Sequence, residues 1–229
     1  MALKPLPRIL RGVRKRILSD EHGDLPLWWR LRLWQAMNER FPDDGALRRS
    51  CLALHLCYEV LPAWDRAQMP VEYAALPRTM VEIARGYLLG VLSNRTVEAA
   101  NADYIAMNQD IICAGDWEQR GDAVFVYQGS HFVVFRVLDQ DDELYDRHNL
   151  YQDCWADDEA VRPTEIYLGD DIFWDVHFVA SMLASNGAHW EPERCDNELR
   201  RKFWLGWLDE TLPQFLGDSK VAKAAALLV

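Results

Sequence analysis

The sequence predicts a mainly α protein, a single-domain bundle of about seven to nine helices with an irregular acidic insertion. Three observations predict it. Apolar residues recur at helical spacing in one stretch after another. Prolines and short polar residues stand where helices begin or end. No Gly/Ser-rich or Pro-rich run divides the 229 residues, and no internal repeat appears.

The elements follow in order. Residues 1–20 form a basic stretch in which Lys4, Arg8, Arg11, Arg14, Lys15 and Arg16 face one acid, Asp20. Pro5 to Leu18 reads as a short basic helix or an arm. A second helix runs from Pro26 to about Phe41, with Leu27, Leu31, Trp34 and Met37 on one face. Pro42 stops it. Asp43 and Asp44 stand at the cap of a third helix, Gly45 to Leu61, striped by Leu47, Cys51, Leu54 and Tyr58. Pro62 and Pro70 bracket an irregular connection around Trp64. Pro77 suits the first turn of a helix from Arg78 to Leu92, lined by Met80, Ile83, Ala84, Tyr87 and Val91. Asn94 to Thr96 cap the next helix, which reaches Cys113 on Val97, Ala100, Tyr104, Met107 and Ile111.

Asp122 to Leu144 fits two patterns. The runs Ala123–Tyr127 and Phe132–Leu138 are β-branched and aromatic, with Gln128-Gly129-Ser130 between them, which suits a hairpin. Val124, Tyr127, His131, Val134 and Leu138 also share one helical face. A lone hairpin would have few strands to join, so helix is the preferred reading. Asp146 to Pro163 is irregular and polar, and Thr164 to Gly169 is extended or turned. A helix from Ile172 to Ala184 carries Trp174, Phe178 and Met182, and Asn186-Gly187 ends it. Asp196 or Asn197 caps the last strong helix, which runs to Leu212 with Leu199, Phe203, Trp204, Trp207 and Leu208 and closes at Pro213. The Ala- and Leu-rich tail, 218–229, is expected to fray.

Charge is uneven. The net value is −11, from 36 acids and 25 basic residues. Asp139, Asp141, Asp142, Glu143, Asp146, Asp153, Asp157, Asp158, Glu159, Glu165, Asp170 and Asp171 face only Arg147 and Arg162 between positions 139 and 171. That field repels nucleic acid and anionic lipid, and it attracts a basic protein surface. Trp155, flanked by acids, is the candidate anchor of an interface there. These acids, except Asp153 and Glu165, together with Trp155 form the candidate partner-binding set. The opposing reading is a solvated face that keeps the protein in solution.

Charges at Arg11, Arg14, Lys15 and Arg16 break any apolar core of a secretion signal, and no stretch approaches the roughly 20 apolar residues of a membrane span. Five cysteines, an odd number without a Cys-x-x-Cys pair, suit free thiols in the cytoplasm.

Catalytic patterns fail one by one. No nucleophile elbow, P-loop or dinucleotide-binding glycine turn is present. Cys51, His55 and Glu59 share a helical face, a weak zinc pattern read here as core packing. Asp139, Asp141 and Glu143 begin like a calcium loop, but Leu144 and Leu150 stand where glycine and a bidentate glutamate are required. Asp175 and His177, two apart, would point away from each other on a helix, so no Asp–His pair is expected. The expectation is a binding protein without a cofactor, and not an enzyme.

The C-terminal third adds a resemblance. Trp174-Asp175-Val176-His177-Phe178-Val179-Ala180-Ser181 leads to Ala184-Ser185-Asn186-Gly187-Ala188-His189-Trp190-Glu191. Then comes Glu198-Leu199-Arg200-Arg201-Lys202-Phe203-Trp204-Leu205-Gly206-Trp207-Leu208, ending at Pro213. This resembles the Imm5 family of bacterial immunity proteins, as does Tyr127-Gln128-Gly129 to Leu138-Asp139. Ser185-Asn186-Gly187 departs from the Gly-Gly turn that the family favours. The resemblance implies a mostly helical fold and a cytoplasmic partner of a cognate toxin; the chain is expected to be a monomer or homodimer. It also supports the helical reading of Asp122 to Leu144. A helical hydrolase with an acidic pocket, and a helical adaptor unrelated to toxins, are the alternatives.

Overall fold

The computed structural model describes residues 6–114, 117–138, 175–187 and 191–217. These residues are helical throughout, with turns between, and no strand occurs among them. The order is α1 (Leu6–Ser19), α2 (Leu27–Arg40), α3 (Gly45–Arg66), α4 (Leu76–Leu88), α5 (Asn94–Ala114), α6 (Trp117–Val137), α7 (Val176–Ala184) and α8 (Asn197–Gly206). A widened π-turn (Trp207–Thr211) then leads into a short α9 (Leu212–Leu216). The mainly α bundle predicted from the sequence is therefore present.

α3 is the central element and packs against α2, α4, α6, α7 and α9. α1 is a helix, not a loose arm. Leu6, Ile9, Val13 and Ile17 face the core, and Arg8, Arg11, Arg14 and Lys15 face out. Its outer edge is tied to the end of the chain by an ion pair between Arg14 and Asp209.

α6 decides the hardest reading in favour of helix. The hairpin alternative is overturned because the β-branched residues are buried on every side. Val124, Val126, Tyr127, Val133 and Val134 are all inaccessible, with α3, α4, α5 and α7 around them. A helix enclosed in this way loses its polar face, so propensity yields to packing. It spans Trp117 to Val137, starting and ending earlier than the expected Asp122 to Leu144.

Other boundaries also differ from expectation. α3 runs through Pro62 to Arg66 and takes in Trp64, which is buried and donates from Nε1 to the Ala74 carbonyl at 2.9 Å. Burial of that indole holds the helix past the amide hydrogen bond that Pro62 cannot make. α4 stops at Leu88 because Gly90 takes a left-handed φ of +72°. The Val91 N–H then bonds the Gly86 carbonyl (2.8 Å) and the Gly90 N–H bonds Tyr87 (2.9 Å), a Schellman closure. Val91 is thereby 76% exposed and does not line the helix. α7 begins at Val176, so Asp175 is its cap and not an interior residue. The last helix does not close at Pro213. The Leu212 N–H bonds the Trp207 carbonyl five residues back, and the widened turn makes room for the Pro213 ring. Leu199 lies partly exposed, while Trp204, Trp207, Leu208, Leu212 and Phe215 are buried.

Two expected caps form as read. Asp196 accepts from the N–H groups of Glu198 and Leu199, each at 3.0 Å. Asn186, at φ +63°, and Gly187 close α7 by the same Schellman pattern, with Gly187 N–H on the Met182 carbonyl at 3.0 Å. Asp44 sits at the α3 cap position but makes no cap bond, since its carboxylate accepts from Arg48 Nε at 2.9 Å.

Candidate functional site

The candidate partner-binding residues Asp139, Asp141, Asp142, Glu143, Asp146, Trp155, Asp157, Asp158, Glu159, Asp170 and Asp171 lie outside the described residues. So does the frayed-tail expectation for 218–229. What the structure does give is the pair of joints that hold the acidic segment. At one joint Val137 is buried, and the Arg136 carbonyl accepts from Ser50 Oγ at 3.3 Å. At the other stands Asp175, 1% exposed.

The second joint is a buried polar cluster. Asp175 Oδ1 caps α7 through the Phe178 N–H at 2.9 Å, and Oδ2 accepts from Arg30 Nε at 3.1 Å. Arg30 also donates to the Leu25 carbonyl at 2.6 Å. His177 Nδ1 lies 3.4 Å from Asp175 Oδ1, which corrects the expectation that this pair would point apart. The reason is local. Asp175 is extended at the cap (φ −59°, ψ 142°), so its carboxylate folds over the first turn and reaches both Phe178 and His177. Burial works to raise the Asp175 carboxyl, but the Arg30 guanidinium, His177 and the Phe178 N–H outweigh it and hold it well below the usual carboxylate range.

The cluster has an aromatic lid. The His177 ring lies between Trp34 (4.9 Å) and Trp207 (5.8 Å), and Trp204 packs edge-on against Trp207 at 5.6 Å. Trp204 Nε1 donates to Asp24 at 2.8 Å, and Arg30 sits over the same indole. His177 is 4% exposed, and the neighbouring Ser181 hydroxyl is spent on the Phe178 carbonyl at 2.8 Å. The arrangement therefore orients no nucleophile toward solvent. It is a staple that ties α2, α7 and α8 together. Neither Arg30 nor Asp175 stood out as a charge partner in the sequence, because 145 positions separate them. The legible signal was an Asp placed just before an apolar run, which is a cap signature.

A second buried cation, Arg200, donates to Ser185 Oγ (3.2 and 3.1 Å) and to the Gly187 carbonyl, locking the turn after α7 onto α8. The weak zinc pattern resolves into other contacts. His55 Nε2 lies 3.4 Å from Glu59, and burial pushes the Cys51 thiol up to about 12, which keeps it protonated. Among the described residues no group of three His, Cys, Asp or Glu side chains could hold a metal ion.

His131 is another buried titratable group. It bonds Asn101 Oδ1 at 2.8 Å inside a ring of Tyr104, Tyr127 and Phe135, and burial pulls its imidazole down to about 4. The unfolded chain, with a histidine near 6.5, therefore binds more protons than the native state between these two values. Stability falls as pH drops through that window, by about 2 kcal/mol between pH 7.5 and 5 from this residue. Urea titrations at the two pH values should show this loss, and His131→Gln should flatten it.

The described residues also form an open groove. It lies between α3, the end of α7 and α8 with its π-turn, and it is lined by Glu59, Ala184, Lys202, Phe203, Gly206, Trp207, Glu210 and Thr211, with a volume of about 320 Å³. No helix among the described residues is long and apolar enough to cross a membrane.

No curated protein matches the chain. The family model for the immunity protein Imm5 matches residues 10–214, which takes in every described helix from within α1 to the start of α9. The resemblance read in the C-terminal third thus extends over the N-terminal half as well, and the chain belongs to the Imm5 family of immunity proteins.

Proposed function

We propose that this protein neutralises a cognate bacterial toxin by occluding it, in the cytoplasm of the producing cell and without catalysis. The observation that carries the reading is membership of an immunity family combined with the charge of the 139–171 segment, where twelve acids face two arginines. Such a field suits a basic cleft, as on an enzyme whose substrate is an anion. The segment begins two residues after the buried Val137 and ends four residues before the buried Asp175. Held at two points, it loses less entropy on binding than a free tail would. Trp155 is the proposed anchor that slows release, with the surrounding acids setting encounter rate and partner choice.

The hydrolase alternative needs His177 or His189 to meet acids in a cavity. His177 is sealed between two tryptophans, which favours the binding role. Replacing Asp157, Asp158 and Glu159 with Ala should slow association with the toxin by about tenfold and weaken protection in co-expression, with the melting temperature unchanged. Unchanged affinity in calorimetry would remove this segment from the interface.

A further inference from the structure

Two patches of opposite charge adjoin where α1 meets α8. On α1, Arg8, Arg11 and Lys15 are exposed and share one stripe at i, i+3 and i+7. Leu18, 56% exposed, follows one turn further on. Arg14 holds Asp209 and Arg16 holds Asp20, but the three stripe cations pair with no acid among the described residues. The stripe is locally unfavourable. Arg11 repels Arg8 and Lys15 across single turns, and Arg8 sits against the helix dipole in a first turn that holds no acid. A stripe that is unfavourable by itself suits an acidic partner surface.

The groove beside the π-turn offers such a surface. Glu59 and Glu210 line it with a single cation, Lys202, and Phe203 is partly exposed in it. Glu59 also meets His55 at 3.4 Å, while Glu210 has no ion pair among the described residues. The groove is open at Gly206, where an added side chain would meet nothing within 4 Å. The two patches are neighbours, because Arg14 on α1 pairs with Asp209 and the next residue is Glu210. Basic and acidic patches side by side are self-complementary. A second copy turned by half a rotation sets its cations on the acids of the first, and the first does the same in return.

We propose that this surface joins two copies of the chain in a two-fold dimer. Arg8, Arg11 and Lys15 of one protomer meet Glu59 and Glu210 of its partner, and Leu18 covers Phe203. A footprint two helices wide and as long as the 14-residue α1 measures about 20 by 21 Å. That is about half of the roughly 800 Å² per partner that a stable complex buries, so the dimer is weak and exchanges with monomer. Two chains of net charge −11 repel at long range. At physiological ionic strength charges more than about 8 Å apart are screened, and the pairs across the contact decide. The dimer does not depend on the identity of any toxin.

Sedimentation velocity on the full chain at about 0.15 M salt tests this. From about 10 μM to about 1 mM, the range suited to a small polar interface, dimer should grow reversibly with concentration. Arg11→Glu with Lys15→Glu should weaken it at least about tenfold, because the two-fold axis counts each reversal twice. Glu59→Lys with Glu210→Lys should do the same. The chain carrying all four changes should regain the dimer, since cations and acids have exchanged places. Arg95→Glu, at an exposed cation of α5 outside the patch, should leave dimerisation unchanged. Circular dichroism checks that each chain is folded, and should one pair of changes unfold the protein, the other pair decides. A chain that stays monomeric up to about 1 mM overturns the proposal. So does a dimer that survives either folded reversal, or a folded fourfold exchange that fails to restore it.

Discussion

Arg30→Met should destabilise the protein by about 3–5 kcal/mol, the largest loss expected from any single charge. The methionine fills most of the space but leaves the Asp175 carboxylate, 1% exposed, without its guanidinium. Removing one partner of a buried pair costs far more than the pair contributes, since the remaining charge stays desolvated. Asp175 keeps the Phe178 N–H and His177, which bounds the damage. Two features distinguish this cause from simple cavity formation. First, the double variant Arg30→Met with Asp175→Leu should be less destabilised than the sum of the single changes, because no orphan charge remains. Second, the penalty should shrink on acidification. In the unaltered protein the Asp175 carboxyl titrates below its unfolded value, so its contribution is present above about pH 4 and is lost as pH falls below that. Without Arg30 burial dominates, the carboxyl binds its proton sooner, and protonation relieves the orphan charge. Urea titrations of both chains at pH 7.5 and 5 measure the gap. A gap that does not narrow would assign the loss to packing.

The local part of this fold was legible in the sequence, and the long-range part was not. The stripes of α2 and the caps at Asp196 and Asn186-Gly187 involve neighbours within a few positions, and the structure keeps them. The end of α4 was missed, because the apolar Val91 and Leu92 drew the expected helix past Gly90, whose left-handed φ closes it. Pro62 misled in the opposite sense. A proline ends most helices, yet here the burial of Trp64 outweighs one missing hydrogen bond. The ambiguity of α6 is instructive because both of its periodicities are real. A helix enclosed by four others needs apolar residues all round, and β-branched residues satisfy that need at small cost in propensity. The Arg30–Asp175–His177 cluster was invisible because it joins α2 to α7, and no spacing rule links positions so far apart. For the binding segment, composition alone speaks. The excess of acids over 139–171 suits a basic surface, the kind of partner proposed above.

Trp204→Ala should cost about 3–5 kcal/mol, and its effect on protection should follow stability alone. Trp204 is fully buried and makes three kinds of contact. It packs edge-on against Phe203 and Trp207, lies under Arg30, and donates to Asp24. Truncation removes a large apolar volume where α8 presses on α2, and the surrounding helices cannot collapse into the space without breaking the staple. Trp204→Phe separates the contributions. It keeps most of the packing and deletes the N–H, so it should lose about 1–3 kcal/mol, the cost of the lost bond and the smaller ring. Asp24 retains the Leu25 N–H at 2.8 Å, which limits the loss. The Phe203-Trp204 and Trp207 pattern that carried the family resemblance would then be a packing signature, distant from partner choice. The contrast with the acidic segment is the decisive measurement. Well below its melting point, Trp204→Phe should bind toxin with unaltered affinity and a lowered melting temperature. The Asp157, Asp158 and Glu159 triple replacement should show the reverse, with unaltered melting and weakened binding. If Trp204→Phe weakened binding while fully folded, the interface would extend from the acidic segment onto the face built by α2 and α8.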